Sequence, residues 1–279
     1  MIDKMGDRFK AYENCYRIYL PKRQVVIVRV DGRAFHSFTK GFARPYDIAF
    51  AEAMHQTALK LAENISGCKF AYTQSDEITL VLTDYENINT EPWFGNNLQK
   101  IVSISAAMAS IFFKESFNES IEDEYLDHYL DGKIGDEKYQ LLMKHSEAYH
   151  NKLCVFDSRA FIIPREEVVN CLYWRQTDCI RNSIQLLGQA NFSHNQLQGK
   201  NCNEIQEMLW QKKNINWANE PNWFKNGVAI YKKPMKVEYS LPDGTGITVE
   251  RNKWFIDKDI PVFTQNRDFI NKHFEFKES

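Results

Sequence analysis

The sequence lacks the features that mark membrane, secreted and metal-thiolate proteins. No segment approaches about eighteen uninterrupted apolar residues, so no membrane-spanning helix is predicted. Residues 1–14 carry acidic and basic side chains and no apolar block, so we expect neither a secretory signal nor a transit peptide. The six cysteines include no C-x-x-C pair, so neither a structural zinc site nor a disulfide framework is indicated. We therefore expect a soluble, cytoplasmic protein.

A large excess of charge of either sign is also missing. The 279 residues carry a net charge of −2, with 43% apolar and 26% charged residues, which is the composition of an ordinary folded protein. The charge is uneven, because residues 114–150 hold ten acidic and four basic side chains. This segment carries −6 and leaves +4 for the rest of the chain. An anionic partner is therefore not excluded, but +4 is far from the footprint of a nucleic-acid-binding protein.

The first 163 residues alternate between strand and helix patterns. A β-branched run, QVVIVRV, predicts a central strand that ends at Asp31-Gly32. Asp47 predicts the N-cap of a helix whose apolar side chains recur every three or four residues. The predicted strands are residues 24–30, 68–73, 78–83 and 160–163, and the predicted helices are residues 48–65 and 96–113. This β-α-β-β-α-β order predicts an α+β fold of the ferredoxin-like, split-βαβ type, with the helices on one face of the sheet.

The chain divides into two regions by these patterns. We predict a catalytic core over residues 1–163, with the acidic segment 114–150 as an insertion outside it. Residues 164–279 are predicted to be a helical region with C-terminal strands, packed on that core. Its predicted helices are residues 166–189, a short helix after Ser193 and residues 203–210, and its predicted strands are residues 228–232, 236–239 and 247–250, the last two joined by a turn at residues 240–246.

Two carboxylates end neighbouring strands in this arrangement. Asp31 ends the first strand, and Asp76 sits at the tip of the hairpin made by the next two. Because the first and third strands of a split-βαβ sheet are neighbours, these side chains are predicted to face one another across one sheet edge. Carboxylate oxygens suit hard cations such as Mg²⁺, and a pair of ions can clamp the attacking and leaving oxygens of a nucleotidyl transfer. Taken singly, each acid is more often part of a plain turn, so both interpretations stay open at this point.

Four ordered motifs resemble the tRNA-His guanylyltransferase family. They are Val30-Asp31-Gly32-Arg33-Ala34-Phe35-His36-Ser37-Phe38, Thr73-Gln74-Ser75-Asp76-Glu77-Ile78, Phe156-Asp157-Ser158-Arg159 and Trp174-Arg175-Gln176-Thr177-Asp178-Cys179. The resemblance runs in order from about residue 5 to residue 232. It implies a polymerase palm-like fold, two Mg²⁺ ions, and a reaction in which nucleotides join the 5′ end of tRNA. It also implies a homotetramer, built as a dimer of dimers.

The resemblance assigns roles to individual residues. Asp31, the Gly32 carbonyl and Asp76 match the metal ligands, and Glu77 is a further acid needed for catalysis. The nucleotide-binding positions are Gly32, Arg33, Ala34, Phe35, His36, Arg44 and Ser75, with the triphosphate cradled by backbone amides of residues 32–36. The positions matched to phosphate groups or the tRNA 5′ end are Arg29, Lys100, Arg159, Arg181 and Asn182.

One departure from the family pattern concerns the choice of RNA. In eukaryotic guanylyltransferases a His that helps to recognise tRNA-His follows the Asp-Cys of the fourth motif. Here Ile180-Arg181-Asn182-Ser183 follows Asp178-Cys179. This version is similar to the bacterial and archaeal guanylyltransferase-like proteins, which use a template to rebuild 5′-truncated tRNAs. Repair of truncated tRNA and addition of G to tRNA-His are therefore both expected activities.

Three hypotheses of function follow from the sequence. The leading one is a Mg²⁺-dependent 3′–5′ nucleotidyltransferase that binds tRNA, GTP, ATP and other NTPs, and that first activates the 5′ phosphate with ATP or GTP. The first alternative is a palm-type nucleotide cyclase, which would use the same two acids without RNA. The second alternative is a non-catalytic RNA-binding module that keeps the fold. No membrane partner is expected.

Overall fold

The computed structural model describes residues 4–132, 135–136, 152–240 and 246–274. The strands are Val25–Gly32 (β1), Cys68–Gln74 (β2), Glu77–Leu82 (β3), Phe156–Ile163 (β4), Val228–Ser240 (β5) and Gly246–Asp257 (β6). The helices are Lys4–Asn14 (α1), Phe35–Phe38 (α2), Ile48–Asn64 (α3), Leu98–Leu130 (α4), Val168–Asn191 (α5), His194–Leu197 (α6), Cys202–Lys213 (α7), Asn222–Asn226 (α8) and Asp268–Asn271 (α9). None of these helices is long and apolar enough to cross a membrane.

The six strands form one antiparallel sheet in the order β4-β1-β3-β2-β5-β6. The predicted order of β1, α3, β2, β3, α4 and β4 is confirmed, and β1 and β3 are neighbours as predicted. β1 lies inside the sheet, with alternate side chains buried on opposite faces. Val26 and Val28 pack on one face, and Val25 and Ile27 pack on the other. Burial on both faces explains why this strand is a continuous apolar run.

α3 and α4 cover one face of the sheet. Asp47 caps α3 as predicted, because its carboxylate accepts a 3.0 Å hydrogen bond from the Phe50 amide. α4 extends well beyond the predicted end at residue 113. Phe113, Phe117 and Ile121 recur every four residues and are buried in the core, so this apolar stripe continues the helix into the acidic segment. Residues 133–134 and 137–150 of that segment lie outside the described residues.

α5 and the C-terminal residues cover the opposite face. Val168, Val169 and Leu172 of α5 pack on this face of the sheet together with Ile260 and Phe263. Two strands were predicted at residues 228–232 and 236–239, but the structure has one continuous strand, β5, which includes Pro234. Beyond residue 231 β5 pairs with β6 and no longer with β2, which is the edge position where a proline is tolerated. The predicted turn at residues 240–246 lies largely outside the described residues.

Candidate active site

The ends of β1 and β3 bring three acidic residues to one edge of the sheet. In the antiparallel pairing of these strands Asp31 lies opposite Glu77. Asp76 lies in the tight turn between β2 and β3, and its carbonyl accepts a 3.0 Å hydrogen bond from the Gly32 amide. Ser75, the other turn residue, has a φ of 50°, the left-handed conformation that tight hairpin turns require. The strand register therefore places Asp31 beside the Asp76 turn.

These carboxyl groups lie where their ionised forms are disfavoured. Burial, and after it repulsion from Asp157, raises the pKa of Asp31. Burial also raises the pKa of Asp76, and the charge of Asp31 adds to this effect. Like charges held together in a partly buried site are stabilised by a cation, which removes both the repulsion and the excess charge. Binding of a cation at this edge would therefore be electrostatically favourable.

A hard divalent cation fits the donors that this edge offers. Asp31 and Asp76 present carboxylate oxygens, and the main chain of Gly32 adjoins both. No group of three or more His, Cys, Asp or Glu side chains arranged to hold a metal occurs in the described part of the chain. Mg²⁺ does not need such a group, because it keeps several waters and is usually bound through one or two carboxylates together with substrate phosphates. The donor set therefore matches Mg²⁺ better than it matches zinc.

β4 adds an acid and a base to the same face. Asp157 lies opposite Asp31, and Arg159 lies opposite Arg29. The Arg159 guanidinium is 3.3 Å from the Asp157 carboxylate, and both side chains are about half exposed. An exposed pair of this kind is weak, so Arg159 can exchange the carboxylate for a phosphate at little cost. Its position therefore suits an anionic substrate.

Glu77 has a different environment from the two aspartates. Its carboxylate accepts a 2.6 Å hydrogen bond from Arg175 Nε, and both side chains are 8% exposed. Arg29 Nε lies 3.8 Å from the other carboxylate oxygen. Burial raises the pKa of Glu77, whereas Arg175 and Arg29 oppose this effect. Glu77 is therefore held in a buried ion pair with Arg175, with Arg29 close to its other carboxylate oxygen.

Trp174 links these two arginines. The Arg175 guanidinium carbon lies 4.3 Å from the centroid of the Trp174 ring, and that of Arg29 lies 5.5 Å from it. Arg175 also donates a 2.8 Å hydrogen bond to Asp178, which in turn pairs with Arg181. Residues of the fourth sequence motif, in the middle of α5, thus join Arg29, Glu77 and Arg181 in a connected network of charges and one indole ring. This network reaches the acidic edge through Glu77.

The loop after β1 has two features that depend on backbone geometry. A Cβ atom on Gly32 would lie 2.6 Å from the buried Phe35 ring, so this glycine lets the ring pack under the loop. Ala34 adopts a left-handed conformation, with a φ of 56°. The amides of Gly32 and Arg33 are already used, since they donate to the carbonyls of Asp76 and Val155 at 3.0 Å and 2.8 Å. The predicted phosphate cradle is therefore restricted to the amides of residues 34–36.

A cavity of about 470 Å³ adjoins the Asp76 turn. It is enclosed by the segment from α2 to α3, the end of β2, the second half of α5 and the short helix α8. Its volume falls in the range of small-molecule binding sites. The predicted site residues that line it are Phe35, His36, Arg44, Ser75, Asp76 and Asn182.

The other predicted residues lie outside the cavity wall, on the acidic edge or at the surface. Arg33 is exposed in the loop after β1. Lys100 lies in the first turn of α4, with its ammonium group 5.8 Å from the centroid of the Phe94 ring. Arg181 is 58% exposed beside Asp178. Asn97 caps the same end of α4, because its side chain accepts a 3.0 Å hydrogen bond from the Lys100 amide.

Residues 6–164 match the sequence model of the family described as tRNAHis guanylyltransferase. The chain belongs to this family. It is therefore a nucleotidyltransferase by family, and the predicted resemblance is confirmed. The tRNA(His) guanylyltransferase of Schizosaccharomyces pombe is 27% identical over 247 residues, which cover 84% of this chain and 82% of that protein.

Solved structures of this family include two close matches to the whole chain. A bacterial tRNA(His) guanylyltransferase-like protein in complex with ATP is 39% identical, with a TM-score of 0.78, and the match covers 98% of this chain and 100% of that one. A bacterial guanylyltransferase-like protein in complex with GTP is 37% identical, with a TM-score of 0.72 and coverage of 97% and 99%. The likeness thus includes the C-terminal strands, which the sequence motifs leave out.

Sequence reasoning assigned no role to several residues that the fold brings to the candidate site. Arg175 and Asp178 were part of a motif without a function, and Asp157 was not recognised as a neighbour of Asp31. Arg175 and Glu77 are 98 positions apart, and only the packing of α5 on the sheet joins them. The available signal was the placement of Arg175 on the apolar side of a predicted amphipathic helix, where an arginine needs a buried acidic partner.

Proposed function

We propose that this protein is a Mg²⁺-dependent 3′–5′ nucleotidyltransferase that adds nucleotides to the 5′ end of tRNA. The observation that carries the proposal is the pair Asp31 and Asp76 at one sheet edge, next to a cavity of nucleotide size, in a chain of the guanylyltransferase family. The structure neighbours in complex with ATP and GTP support nucleotide triphosphates as substrates. A cyclase would share the acids but would not need the exposed bases around the edge.

The residues of this chain would bind and orient the reactants. Arg159, Arg181 and Lys100 are exposed cations that would neutralise phosphate groups, and Arg44 would do so at the cavity mouth. Ser75 and the amides of residues 34–36 would hold the triphosphate next to Asp76. When bound, Mg²⁺ supplies positive charge that acidifies the 3′-hydroxyl and offsets the charge of the leaving phosphates. No side chain is required as a nucleophile, because the 3′-OH of the incoming nucleotide attacks the activated 5′ phosphate.

The proposal extends to the assembly around this site. We also propose two Mg²⁺ ions, a homotetramer and a cytoplasmic location, which the family resemblance implies. The single antiparallel sheet supports only the palm-like core. The activating nucleotide is ATP or GTP, and the nucleotide that is added is any NTP that pairs with the template. The tRNA lies with its 5′ end at the acidic edge.

The residues after Asp178-Cys179 predict which RNA is used. Since no His follows, we expect the protein to extend several 5′-truncated tRNAs and to choose the added nucleotide by pairing with the opposite strand. The measurement offers each truncated tRNA with all four NTPs and Mg²⁺, changes the opposing base, and sequences the products. A strict preference for tRNA-His with one unpaired G would contradict this prediction.

Lys100 is expected to act in the activation step. Lys100→Ala should slow the use of 5′-monophosphate tRNA by about a hundredfold to a thousandfold, which corresponds to ~3–4 kcal/mol for a lost phosphate contact. A tRNA that already carries a 5′ triphosphate needs no activating nucleotide, so its rate should change much less. Single-turnover rates on matched tRNAs measure the difference, and Lys100→Arg, which keeps the charge, should retain most of the activity.

Equal losses on the two tRNAs would contradict the role given to Lys100. Arg29→Ala is a less selective variant, because Arg29 also contacts Glu77 and Trp174. Its removal should slow both reactions. Comparison of the two variants therefore separates loss of a phosphate contact from damage to the charge network.

A further inference from the structure

An aromatic wall forms part of the cavity. Tyr46 lies 4.9 Å from Trp223 and 4.7 Å from Phe224 between ring centroids, and all three line the cavity. Ser75 and Asp76 line the same cavity from the turn after β2. Flat apolar rings suit a nucleobase, whereas the acidic edge and Arg44 suit phosphates and their counter-ions. A nucleotide would therefore lie with its phosphates at the turn and its base against the rings.

His55 also lines the cavity, from the middle of α3, and it is 6% exposed. Its Nδ1 lies 3.4 Å from a carboxylate oxygen of Glu52, and its ring lies edge-on to Trp223 at 5.9 Å between centroids. Glu52 accepts two further hydrogen bonds, at 2.6 Å from Lys258 Nζ and at 2.9 Å from Gln56 Nε2. The imidazole is thus held by a carboxylate that is itself fixed in place.

These contacts determine which ring nitrogen carries the proton. The hydrogen bond from His55, together with those from Lys258 and Gln56, holds the pKa of Glu52 well below its usual range, so this carboxylate acts only as an acceptor. Burial lowers the pKa of His55, so the ring is neutral at pH 7 and its one proton lies on Nδ1, facing Glu52. Nε2 is then a bare acceptor, and no described residue forms a hydrogen bond with it.

Gln74 lines the same cavity as His55 and has a polar atom without a partner among the described residues. It lines the cavity at the end of β2 and is 7% exposed. Its Oε1 is buried, and within the described residues it has no hydrogen-bond partner. A buried acceptor without a donor is destabilising, and such atoms are commonly satisfied by a ligand or an ordered water. The unpaired Gln74 oxygen is itself buried, so His55 Nε2 is the acceptor on which the assignment of a ligand rests.

We infer that the cavity selects ATP over GTP because His55 Nε2 accepts a hydrogen bond from the 6-amino group of adenine. This inference rests on the proposed nucleotidyl transfer, and it assigns the cavity to the nucleotide that activates the 5′ phosphate, because the nucleotide that is added is chosen by the template. A purine enters a cavity with its six-position edge leading, since this edge lies opposite the bond to ribose. Adenine presents an amino donor at that edge. Guanine presents a carbonyl oxygen, whose lone pairs would face those of Nε2.

Equilibrium binding of three nucleotides to the full chain with Mg²⁺ tests the inference. The probes are ATP, GTP and purine riboside triphosphate, which is ATP without the 6-amino group. We expect the wild type to bind ATP about tenfold more tightly than either of the others, the effect of one hydrogen bond with an unpaired acceptor left in its absence. His55→Phe should bind all three alike, and His55→Gln, which keeps an acceptor oxygen, should retain part of the preference. His194→Phe, a change at an exposed histidine, should leave the preference intact.

The outcomes separate this inference from the proposed function. Equal binding of ATP and purine riboside triphosphate by the wild type would overturn the inference without any variant, even if His55→Phe failed to fold. An unchanged ATP preference in a folded His55→Phe would overturn it as well. If 5′ addition to tRNA persisted in either case, the proposed function would stand. Failure of all three nucleotides to bind would overturn both.

Discussion

Asp31→Asn and Asp76→Asn are each expected to slow nucleotide addition at least about a thousandfold while the protein stays folded. Asparagine keeps the shape of the side chain but removes the negative charge that a hard cation needs as a ligand. A thousandfold loss corresponds to ~4 kcal/mol, comparable to the removal of a main electrostatic contact with the transition state. Single-turnover addition to the 5′ end of tRNA, at saturating Mg²⁺, measures the effect.

Asp31→Asn should also make the metal-free protein more stable. Burial and repulsion from Asp157 raise the pKa of Asp31, so its ionised form is destabilising at pH 7. Removal of the charge should therefore raise the thermal midpoint of Asp31→Asn at pH 7. The gain should shrink as the pH falls toward 3.8, the ordinary value for aspartate, because the wild-type group then becomes protonated as well.

A metal titration provides the control for this pair of results. Mg²⁺ should raise the thermal midpoint of the wild type and of Asp123→Asn, which changes an exposed acid on α4. It should not raise that of Asp31→Asn or Asp76→Asn. Full activity in either variant, or an unchanged response to Mg²⁺, would contradict the assignment of these two residues to the metal.

Arg175→Met is expected to lower the free energy of unfolding by about 3 kcal/mol, because it leaves the buried carboxylate of Glu77 without its partner. The pKa of Glu77, already raised by burial, should rise further when the opposing charge of Arg175 is lost. The difference in the free energy of unfolding between the wild type and this variant should therefore be largest at neutral pH. Its deficit should diminish as the pH falls toward 4.5, the ordinary value for glutamate, where Glu77 becomes protonated in both states.

A double-mutant cycle distinguishes this ion pair from general damage to α5. Glu77→Met with Arg175→Met removes both buried charges, so the double variant should recover most of the stability that the single change loses. Arg181→Met provides the matched control, because it removes the exposed partner of the same Asp178 and should cost less than about 0.5 kcal/mol. Additive losses in the double variant would show that the two side chains do not depend on each other.

The order of the core elements could be predicted from the sequence because their signals are local. A β-branched run, an N-capping aspartate and a polar tip between two apolar runs define β1, α3 and the β2–β3 hairpin. The continuation of α4 was missed because the acidic composition of the segment concealed a stripe of one apolar side chain per turn. β5 was divided because Pro234 is a strand breaker everywhere except at an edge.

The acidic part of the candidate site could be predicted from the sequence, whereas the cavity could not. Asp31 and Asp76 follow from strand order, since a hairpin and a crossover helix fix which strand ends meet. The cavity is assembled from four separate segments. The resemblance alone assigned Arg44 to the nucleotide and Asn182 to phosphate groups or the tRNA 5′ end. His55 carries no sequence signal, because a histidine in the middle of a helix is ordinary until its partner Glu52 and its place on the cavity wall are known.

The direction of synthesis is the central claim, and one measurement tests it most directly. A 5′-truncated tRNA carrying a 5′ triphosphate is incubated with Mg²⁺ and the next templated nucleotide, either as the ordinary NTP or as its 3′-deoxy form. The account predicts extension by one nucleotide at the 5′ end with the NTP and none with the 3′-deoxy form, because the missing hydroxyl is the attacking group. Equal extension with both forms, or extension at the 3′ end, would contradict it.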